Sequence, residues 1–305
     1  MTGVLPYPVR TFDDRACVLG EGPVWDEARQ RAVWLDILSS QVLWRSMDGS
    51  GHGSLTMPSH IGAVLPTTTE QWLLCLQDGI YLGSLAPNSL GRLDTRDVVR
   101  VASFPHRLGP NVDGTNRMRA NDAKVDARGV GFFGTMPYDP EGDAGTAALY
   151  VLDQSNLRVV IESVTISNGI GWSPDGETMY YVDSPTGRVD RCIGDAARGP
   201  LEREPFAVID SRIGIPDGLT VDSEGFLWVA IWGGSRVMRI APDGSDAGHI
   251  EVPCPQTTSC AFIGEDLRTL LITTAGLGLP EGVGNGQTYA VELPVPGLPQ
   301  PKMRV

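Results

Sequence analysis

The chain has 305 residues, with 37 Gly and 23 Pro spread along its length and aromatic residues contributing only 7%. Asp and Glu outnumber Lys and Arg by 37 to 24, which gives a net charge of −13, and no basic cluster interrupts the excess. This charge pattern excludes nucleic acid as a partner. The many turn-forming residues and the lack of sustained helical periodicity predict an all-β protein.

The first eight residues have neither the charged region nor the apolar run of a signal peptide, and no apolar stretch reaches membrane-spanning length. Five cysteines, at positions 17, 75, 192, 254 and 260, form no CxxC pair, and several stand within apolar strand-like runs. That usage is typical of buried thiols in a reducing compartment. We predict a cytoplasmic protein with no membrane partner, and the sequence does not indicate its oligomeric state.

One layout recurs from end to end: an apolar residue, a turn rich in Gly, Pro, Asp and Ser, and a β-favouring run, which together indicate a β-hairpin. The last apolar residue before each turn is Trp25, Leu65, Val125, Trp172, Val221 and Phe262. The intervals are 40, 60, 47, 49 and 41 residues, which suit a unit of about four strands. The sequence predicts one domain, residues 1–305, that forms a six-bladed β-propeller with four-stranded antiparallel blades.

A strand-like segment at residues 9–12 precedes the first full repeat, and the last repeat has a late strand-like segment at residues 288–293. We expect the N-terminal strand to be the outer strand of the sixth blade, because this closes the ring and covers its edges. The longest interval contains an insertion between residues 105 and 116 that is expected to cover or line a pocket. We interpret His106, within it, as a surface residue.

Residues at one repeated position are expected to face the central tunnel, since equivalent positions on radially arranged blades lie at similar height around one axis. Four residues before the aligned positions stand Glu21, Ile61, Asn121, Asn168, Asp217 and Thr258. Two carboxylates and two amides converging there need a counter-charge, and such oxygen ligands suit Ca²⁺, Mg²⁺, Mn²⁺ or Zn²⁺. The pattern predicts one divalent metal ion on the axis. The alternative is a water-filled tunnel lined with turn-forming Asx residues.

A positively charged side chain is expected beside this ring of residues. Arg119 lies two residues before Asn121, so in an extended strand both side chains point the same way, whereas Asp122 points the other way. Arg119 is therefore expected to bind substrate oxygens, the alternative being a surface ion pair. Tyr138 and Asp139, in a polar loop that follows a strand-like run, are possible further substrate contacts.

Six motifs together resemble those of the senescence-marker-protein, gluconolactonase and regucalcin family of six-bladed propellers. They are LGEGPVWD at 19–26, RANDAKVD at 119–126, FGTM at 133–136, SNGIGWSPDG at 167–176, PDGLTVD at 216–222 and LWVAIWGG at 227–234. The resemblance covers nearly the whole chain, and motifs in this order are very specific.

The resemblance implies that Glu21, Asn168 and Asp217 bind one divalent cation, and that Arg119 and Asn121 contact the substrate. These are the residues that the repeat alignment also singles out.

The chain departs from the family pattern at one place. After Gly-Thr-Met many relatives carry an acidic residue that helps to hold a sugar hydroxyl, whereas this chain has Pro137, Tyr138 and Asp139. The sugar specificity is correspondingly open.

The first functional hypothesis is a metal-dependent hydrolase that opens sugar (aldono) lactones to aldonic acids. The ion would polarise the lactone carbonyl, while either Asp217 takes a proton from the attacking water or the ion lowers the pKa of that water. The ring contains no Ser-His-Asp or Cys-His set, so no covalent acyl-enzyme is expected. Two alternatives stay open: an organophosphate (phosphotriester) hydrolase at the same ion, and a non-enzymatic Ca²⁺-binding regulator.

Overall fold

A computed structural model describes residues 3–86, 91–93, 98–105, 108–111, 114–153, 156–280, 282 and 284–305, so His106 lies outside the described residues. Within them, 24 strands form six antiparallel sheets of four strands each. The innermost strand of each sheet contacts the innermost strand of the next around a closed ring. The predicted all-β, six-bladed propeller is therefore confirmed.

Each of the first three blades is built from four consecutive strands. Blade one contains β2 (Gly20–Asp26), β3 (Arg31–Asp36), β4 (Gln41–Ser46) and β5 (His52–Thr56). Blade two contains β6 (Ile61–Pro66), β7 (Trp72–Leu76), β8 (Gly79–Gly83) and β9 (Val99–Ser103). Blade three contains β10 (Met118–Val125), β11 (Gly131–Pro137), β12 (Ala147–Asp153) and β13 (Asn156–Val164).

Blades four and five repeat this plan, and blade six ends differently. Blade four contains β14 (Ser167–Trp172), β15 (Met179–Asp183), β16 (Arg188–Ile193) and β17 (Glu202–Val208). Blade five contains β18 (Ile215–Val221), β19 (Leu227–Trp232), β20 (Arg236–Ile240) and β21 (Asp246–Glu251). Blade six takes β22 (Thr257–Ile263), β23 (Thr269–Thr274) and β24 (Thr288–Glu292) from the end of the chain and β1 (Arg10–Asp13) from its beginning.

Helical structure is minor in the described residues. Two single 3₁₀ turns, Glu27–Arg29 and Ser184–Thr186, follow β2 and β15. Nothing helical in this part of the chain has the length and apolar character needed to cross a bilayer.

The ring closes as the sequence predicts. Strand β1 pairs antiparallel with β24, with Arg10 opposite Ala290 and Thr11 opposite Tyr289. The inner strand of blade six, β22, contacts β2 of blade one. The first described strand thereby covers the edge that β24 would otherwise leave unpaired.

The hydrophobic core lies between blades. Six apolar clusters each join two neighbouring blades, as where Trp34 of blade one packs near Leu271 of blade six. Because each blade is covered on both faces, its middle strands are apolar on both, and all five residues of β7 are buried. The five predicted thiols are free and buried. This packing leaves the axis of the ring available for polar side chains.

Each inner strand breaks its regular pairing at the position predicted to face the tunnel. The register shifts between Glu21 and Val24, Ile61 and Ala63, Ala120 and Ala123, Ser167 and Ile170, Pro216 and Leu219, and Thr257 and Ser259. A β-bulge inserts an extra residue and re-aims its side chain out of the strict alternation of a strand. The shifts explain how Glu21, Asn121, Asn168 and Asp217, at the same position of four blades, come to line one cavity.

Glycines allow neighbouring inner strands to approach closely beside these bulges. A Cβ on Gly62 would lie 2.5 Å from the backbone carbonyl carbon and oxygen of Ala120 in the next blade. A Cβ on Gly169 would lie 2.6 Å from the backbone oxygen of Asp217. Backbone cannot move aside as a flexible side chain can, so both positions require the absence of a side chain.

Gly62→Ala is expected to lower the free energy of unfolding by about 1–3 kcal/mol, because the added methyl forces two inner strands apart. Urea denaturation measures the change. Gly199→Ala is the matched control, since its Cβ would meet no atom within 4 Å, and a change within about 0.5 kcal/mol is expected there. Equal stabilities of the two variants would contradict the close approach.

Candidate active site

A cavity of about 370 Å³ opens at one end of the tunnel, a size within the range of about 300–1,000 Å³ typical of small-molecule sites. Its lining residues are Leu19, Glu21, Leu38, Arg119, Asn121, Met136, Tyr138, Pro140, Ile166, Asn168, Ser184, Ile215, Pro216, Asp217, Trp232 and Leu277. The structure thus brings together all three predicted metal ligands, both predicted substrate-binding residues and Tyr138.

Three other predicted positions lie apart from the cavity. Asp139 is exposed, and its carboxylate accepts a hydrogen bond of 3.0 Å from the Gly142 backbone within its own turn. Ile61 is fully buried against blade one. The Thr258 hydroxyl donates to the Gly20 carbonyl at 2.5 Å, so it joins blade six to blade one.

The insertion between residues 105 and 116 contributes no described residue to the cavity lining. The loop after β11 lines the cavity instead, through Tyr138 and Pro140. The described part of the insertion therefore does not line this cavity, but Asn116 at its end lines a separate one with Ser59 and Arg100.

Two buried carboxylates form the acidic part of the cavity floor. Glu21 and Asp217 are only 8% and 6% exposed. Burial, together with the negative charge of Asp122, raises the pKa of Glu21 to about 8. Burial first, and then the charges of Glu21 and Asp122, raise the pKa of Asp217 well above its ordinary value. The Oδ1 atom of Asp217 is buried and has no hydrogen-bond partner among the described residues.

The Asn168 amide is the third predicted ligand. Its Nδ2 donates to the Ser184 hydroxyl at 3.0 Å, and its Oδ1 accepts from Asn121 Nδ2 at 3.2 Å. An amide oxygen has two lone pairs, so Oδ1 retains one for another partner. Ser184 and Asn121 thereby fix which end of this amide is available as a ligand.

These residues fit a divalent cation. Two carboxylates and an amide oxygen are hard donors that suit Ca²⁺, Mg²⁺, Mn²⁺ or Zn²⁺. A bound cation would neutralise the repulsion between Glu21 and Asp217 and would give the orphaned Oδ1 atom of Asp217 a partner. The described residues contain no group of three His, Cys, Asp or Glu side chains placed to hold a metal, so the donor set depends on Asn168.

Arg119 is fixed over the floor by its neighbours. Its Nη1 donates to the Ala120 carbonyl at 2.9 Å and to Asn121 Oδ1 at 2.7 Å, while Asn121 Nδ2 donates to the Ser167 carbonyl at 2.9 Å. Burial lowers the pKa of Arg119, but a guanidinium stays charged at neutral pH. Its Nε and Nη2 have no hydrogen-bond partner in the described part of the chain. Arg119 is therefore held by one nitrogen and can donate from two others.

Asp122 lies apart from Arg119 and Asn121, as predicted. It lines a separate small cavity with Gly22 and Lys124 and does not line the candidate active-site cavity. Its buried charge still reaches the floor, where it raises the pKa of both Glu21 and Asp217.

Tyr138 is positioned by two side chains of blade two that the sequence analysis missed. Its hydroxyl lies 2.7 Å from His60 Nδ1 and accepts a hydrogen bond of 3.0 Å from Gln77 Nε2. These partners stand 78 and 61 residues away along the chain, so no local pattern could have indicated them. Ser184 was likewise missed as the partner of Asn168.

Comparison with known proteins identifies the family. Residues 19–276 match the SMP-30/Gluconolactonase/LRE-like region. The chain belongs to this family.

Relatives in the family include a pentonolactonase of Haloferax volcanii, 33% identical over 86% of this chain and 84% of the relative. A 6-deoxy-6-sulfogluconolactonase of Pseudomonas putida is 31% identical over 93% of this chain and 94% of its own. The crystal structure of regucalcin, a calcium-binding protein of Agrobacterium tumefaciens, matches with a TM-score of 0.89 and 28% identity, covering 100% of both chains. The predicted class, an ester hydrolase of the gluconolactonase type, is confirmed at the level of this family.

Proposed function

We propose that this family member is a metal-dependent hydrolase that opens sugar (aldono) lactones to aldonic acids. The observation that carries the proposal is the cavity floor, where two buried carboxylates, an amide oxygen and a buried guanidinium converge. The lactonase names of its relatives support the same reaction.

One divalent ion, Ca²⁺, Zn²⁺, Mn²⁺ or Mg²⁺, is proposed to bind Glu21, Asn168 and Asp217. When bound, it would supply Lewis-acid polarisation of the lactone carbonyl and stabilise the negative charge that develops on the carbonyl oxygen. The calcium-binding neighbour supports a divalent cation without deciding which ion this chain holds.

Substrate oxygens are proposed to bind at Arg119. Arg119 lines the cavity and uses only Nη1 for its two hydrogen bonds, and a planar guanidinium suits two neighbouring oxygens of a lactone. Asn121 holds Arg119 and Asn168 at once, which keeps the substrate-binding group at a constant distance from the proposed ligands. Tyr138 is proposed to complete this polar side of the cavity.

Asp217 is proposed as the general base. With one carboxylate oxygen of Asp217 on the ion, the other would take the proton of a water that attacks the lactone carbonyl carbon. The acyl carbon–oxygen bond of the ring then breaks, and the proton passes to the departing ring oxygen to give the open hydroxy acid. Because water supplies both the new hydroxyl and the proton, no covalent enzyme intermediate is required.

Rates on a substrate panel test this function. Protein is stripped with a chelator, reloaded with one metal at a time, and assayed by acid release on glucono-, xylono-, arabino- and galactonolactone with spontaneous hydrolysis subtracted. We expect metal-restored turnover of at least one lactone. If a phosphotriester is hydrolysed orders of magnitude faster than every lactone, the organophosphate hydrolase is favoured. No turnover by protein shown to bind the ion would favour a calcium-binding regulator.

A further inference from the structure

The upper wall of the candidate active site differs chemically from its floor. Six apolar side chains, here called the apolar collar, come from blades one, four, five and six: Leu19, Leu38, Ile166, Ile215, Trp232 and Leu277. Blade three contributes the polar side chains of Tyr138, Arg119 and Asn121 and also the apolar Met136 and Pro140. A ligand in this cavity therefore meets the charged groups at the floor and mostly apolar groups elsewhere.

Two members of the collar are large apolar side chains left open to solvent. Ile215 is 44% exposed and Leu277 is 43% exposed, and Tyr138 at the same cavity is 38% exposed. Contiguous exposed apolar surface that rims a cavity is characteristic of ligand contact. Covering these side chains with an apolar group of a ligand would remove them from water, which is favourable.

Backbone hydrogen bonding fixes the positions of several collar residues. Ile215 and Trp232 face each other as a register pair between β18 and β19. Leu277 is fixed by a 3.0 Å hydrogen bond from its backbone nitrogen to the Val18 carbonyl. Such positions need little rearrangement to bind a ligand.

The collar offers a substrate hydroxyl little compensation for lost water. Five of its six side chains are aliphatic and have no hydrogen-bonding group, the indole N–H of Trp232 being the exception, and the charged residues among the described lining residues, Glu21, Arg119 and Asp217, all belong to the floor. A hydroxyl directed at the aliphatic side chains would lose water without a replacement partner, whereas a methyl would be favoured there.

We propose that the apolar collar binds the end of the lactone remote from the carbonyl, and that the substrates are lactones whose terminal carbon is deoxygenated or carries an alkyl group. The hydroxyls near the ester would remain at the floor, beside Arg119. This inference rests on the proposed lactonase function and narrows its substrate class.

Matched substrates test the proposal. The fastest aldonolactone of the panel is compared with the same compound lacking its terminal hydroxyl, as L-galactono-1,4-lactone is compared with L-fucono-1,4-lactone. We expect kcat/KM to be about 10-fold or more higher for the deoxy compound, the size of effect that one apolar contact in a pocket produces.

Variants of the collar separate its contribution from the intrinsic reactivity of the two lactones. Leu277→Asn and Ile215→Asn are expected to move the deoxy preference toward one. Both side chains are exposed, so the fold should tolerate the changes. Val208→Asn is the control, because Val208 is 77% exposed and lies outside the cavity, and it should keep the wild-type preference.

The outcomes distinguish the two proposals. The inference would be overturned by equal rates on the paired lactones, by a preference for the hydroxylated compound, or by an unchanged preference in both collar variants. Each of these results would leave the proposed lactone hydrolysis intact. Absence of turnover on every lactone, with or without the terminal hydroxyl, would overturn the proposed function itself.

Discussion

Asp217→Asn is expected to lower kcat for lactone hydrolysis by about 10²- to 10⁴-fold in protein saturated with metal, the contribution of a positioned general base. The asparagine keeps the shape of the side chain but cannot accept a proton from water. Its loss of charge should also weaken metal binding, so kcat is measured at a metal concentration that saturates the variant. Metal content of the assayed protein is determined in parallel.

A structural effect of this substitution is separable from the catalytic one. Asp243→Asn makes the same chemical change in an exposed turn, where the carboxylate accepts hydrogen bonds from Ser245, and it should keep wild-type kcat. In metal-free protein, Asp217→Asn should unfold at a higher temperature than wild type above pH 8, because it removes a buried charge that repels Glu21. Wild-type kcat in metal-saturated Asp217→Asn protein would eliminate Asp217 as the base.

Metal-free protein is expected to lose stability as the pH rises from 6 to 9. The pKa of Glu21 is raised from 4.5 to about 8 in the folded chain. The folded state therefore keeps a proton that the unfolded state releases. The stabilisation is complete below the unfolded pKa and disappears as the pH passes the folded pKa. Between pH 6 and 8 Glu21 alone contributes a loss of about 2–3 kcal/mol, or roughly 5 °C in Tm.

The other ionisable groups act in both directions within the window. Burial lowers the pKa values of His60 and His249, so these two residues oppose the loss at the lower end of the pH range. The pKa of Asp217 is raised well above its ordinary value, so Asp217 adds to the loss, and the raised pKa of Asp122 does not oppose it. The carboxyls with lowered pKa values, such as Asp13, are already ionised by pH 6 in either state. The buried thiol of Cys17, with its pKa raised to about 12, stays protonated in the folded chain through pH 9 and adds to the loss as the unfolded thiol begins to ionise near pH 9.

Thermal unfolding of chelated and metal-loaded protein at pH 6, 7, 8 and 9 measures the effect. Bound metal replaces the proton, so the loaded protein should show a much flatter profile. Glu21→Gln should reduce the slope of the metal-free protein. A metal-free Tm that stays level or rises across this range would contradict the close placement of the buried carboxylates.

The repeat pattern was sufficient to predict the ring and the residues at its axis. Each blade supplies an apolar residue, a turn and a strand. The residues four positions before that apolar residue in three blades, Glu21, Asn168 and Asp217, line the same cavity. The prediction worked because propeller geometry converts a constant spacing along the chain into a common height. Strand alternation likewise predicted Arg119 beside Asn121 and Asp122 apart from both, and the structure has this arrangement although the register shift between Ala120 and Ala123 interrupts the alternation.

Contacts between distant segments could not be predicted in this way. The bulges that aim the ring residues follow from pairing between strands, and the sequence marks them only by the glycine after four of the ring residues: Glu21, Ile61, Asn168 and Asp217. Tyr138 is fixed by His60 and Gln77 of another blade, which depends on how blades pack. The apolar collar likewise collects single residues from several loops and strand ends, none of them unusual in its local sequence.

The central claim is that Glu21, Asn168 and Asp217 hold the ion on which lactone hydrolysis depends. It is tested by titrating chelated protein with one divalent ion and measuring the bound metal and the lactonase rate in the same samples. We predict negligible rate without metal and a rate proportional to occupancy until one ion is bound per chain. Glu21→Gln should shift both curves together to higher metal concentration. Full lactonase rate in metal-free protein, or a rate that is independent of occupancy, would contradict the claim.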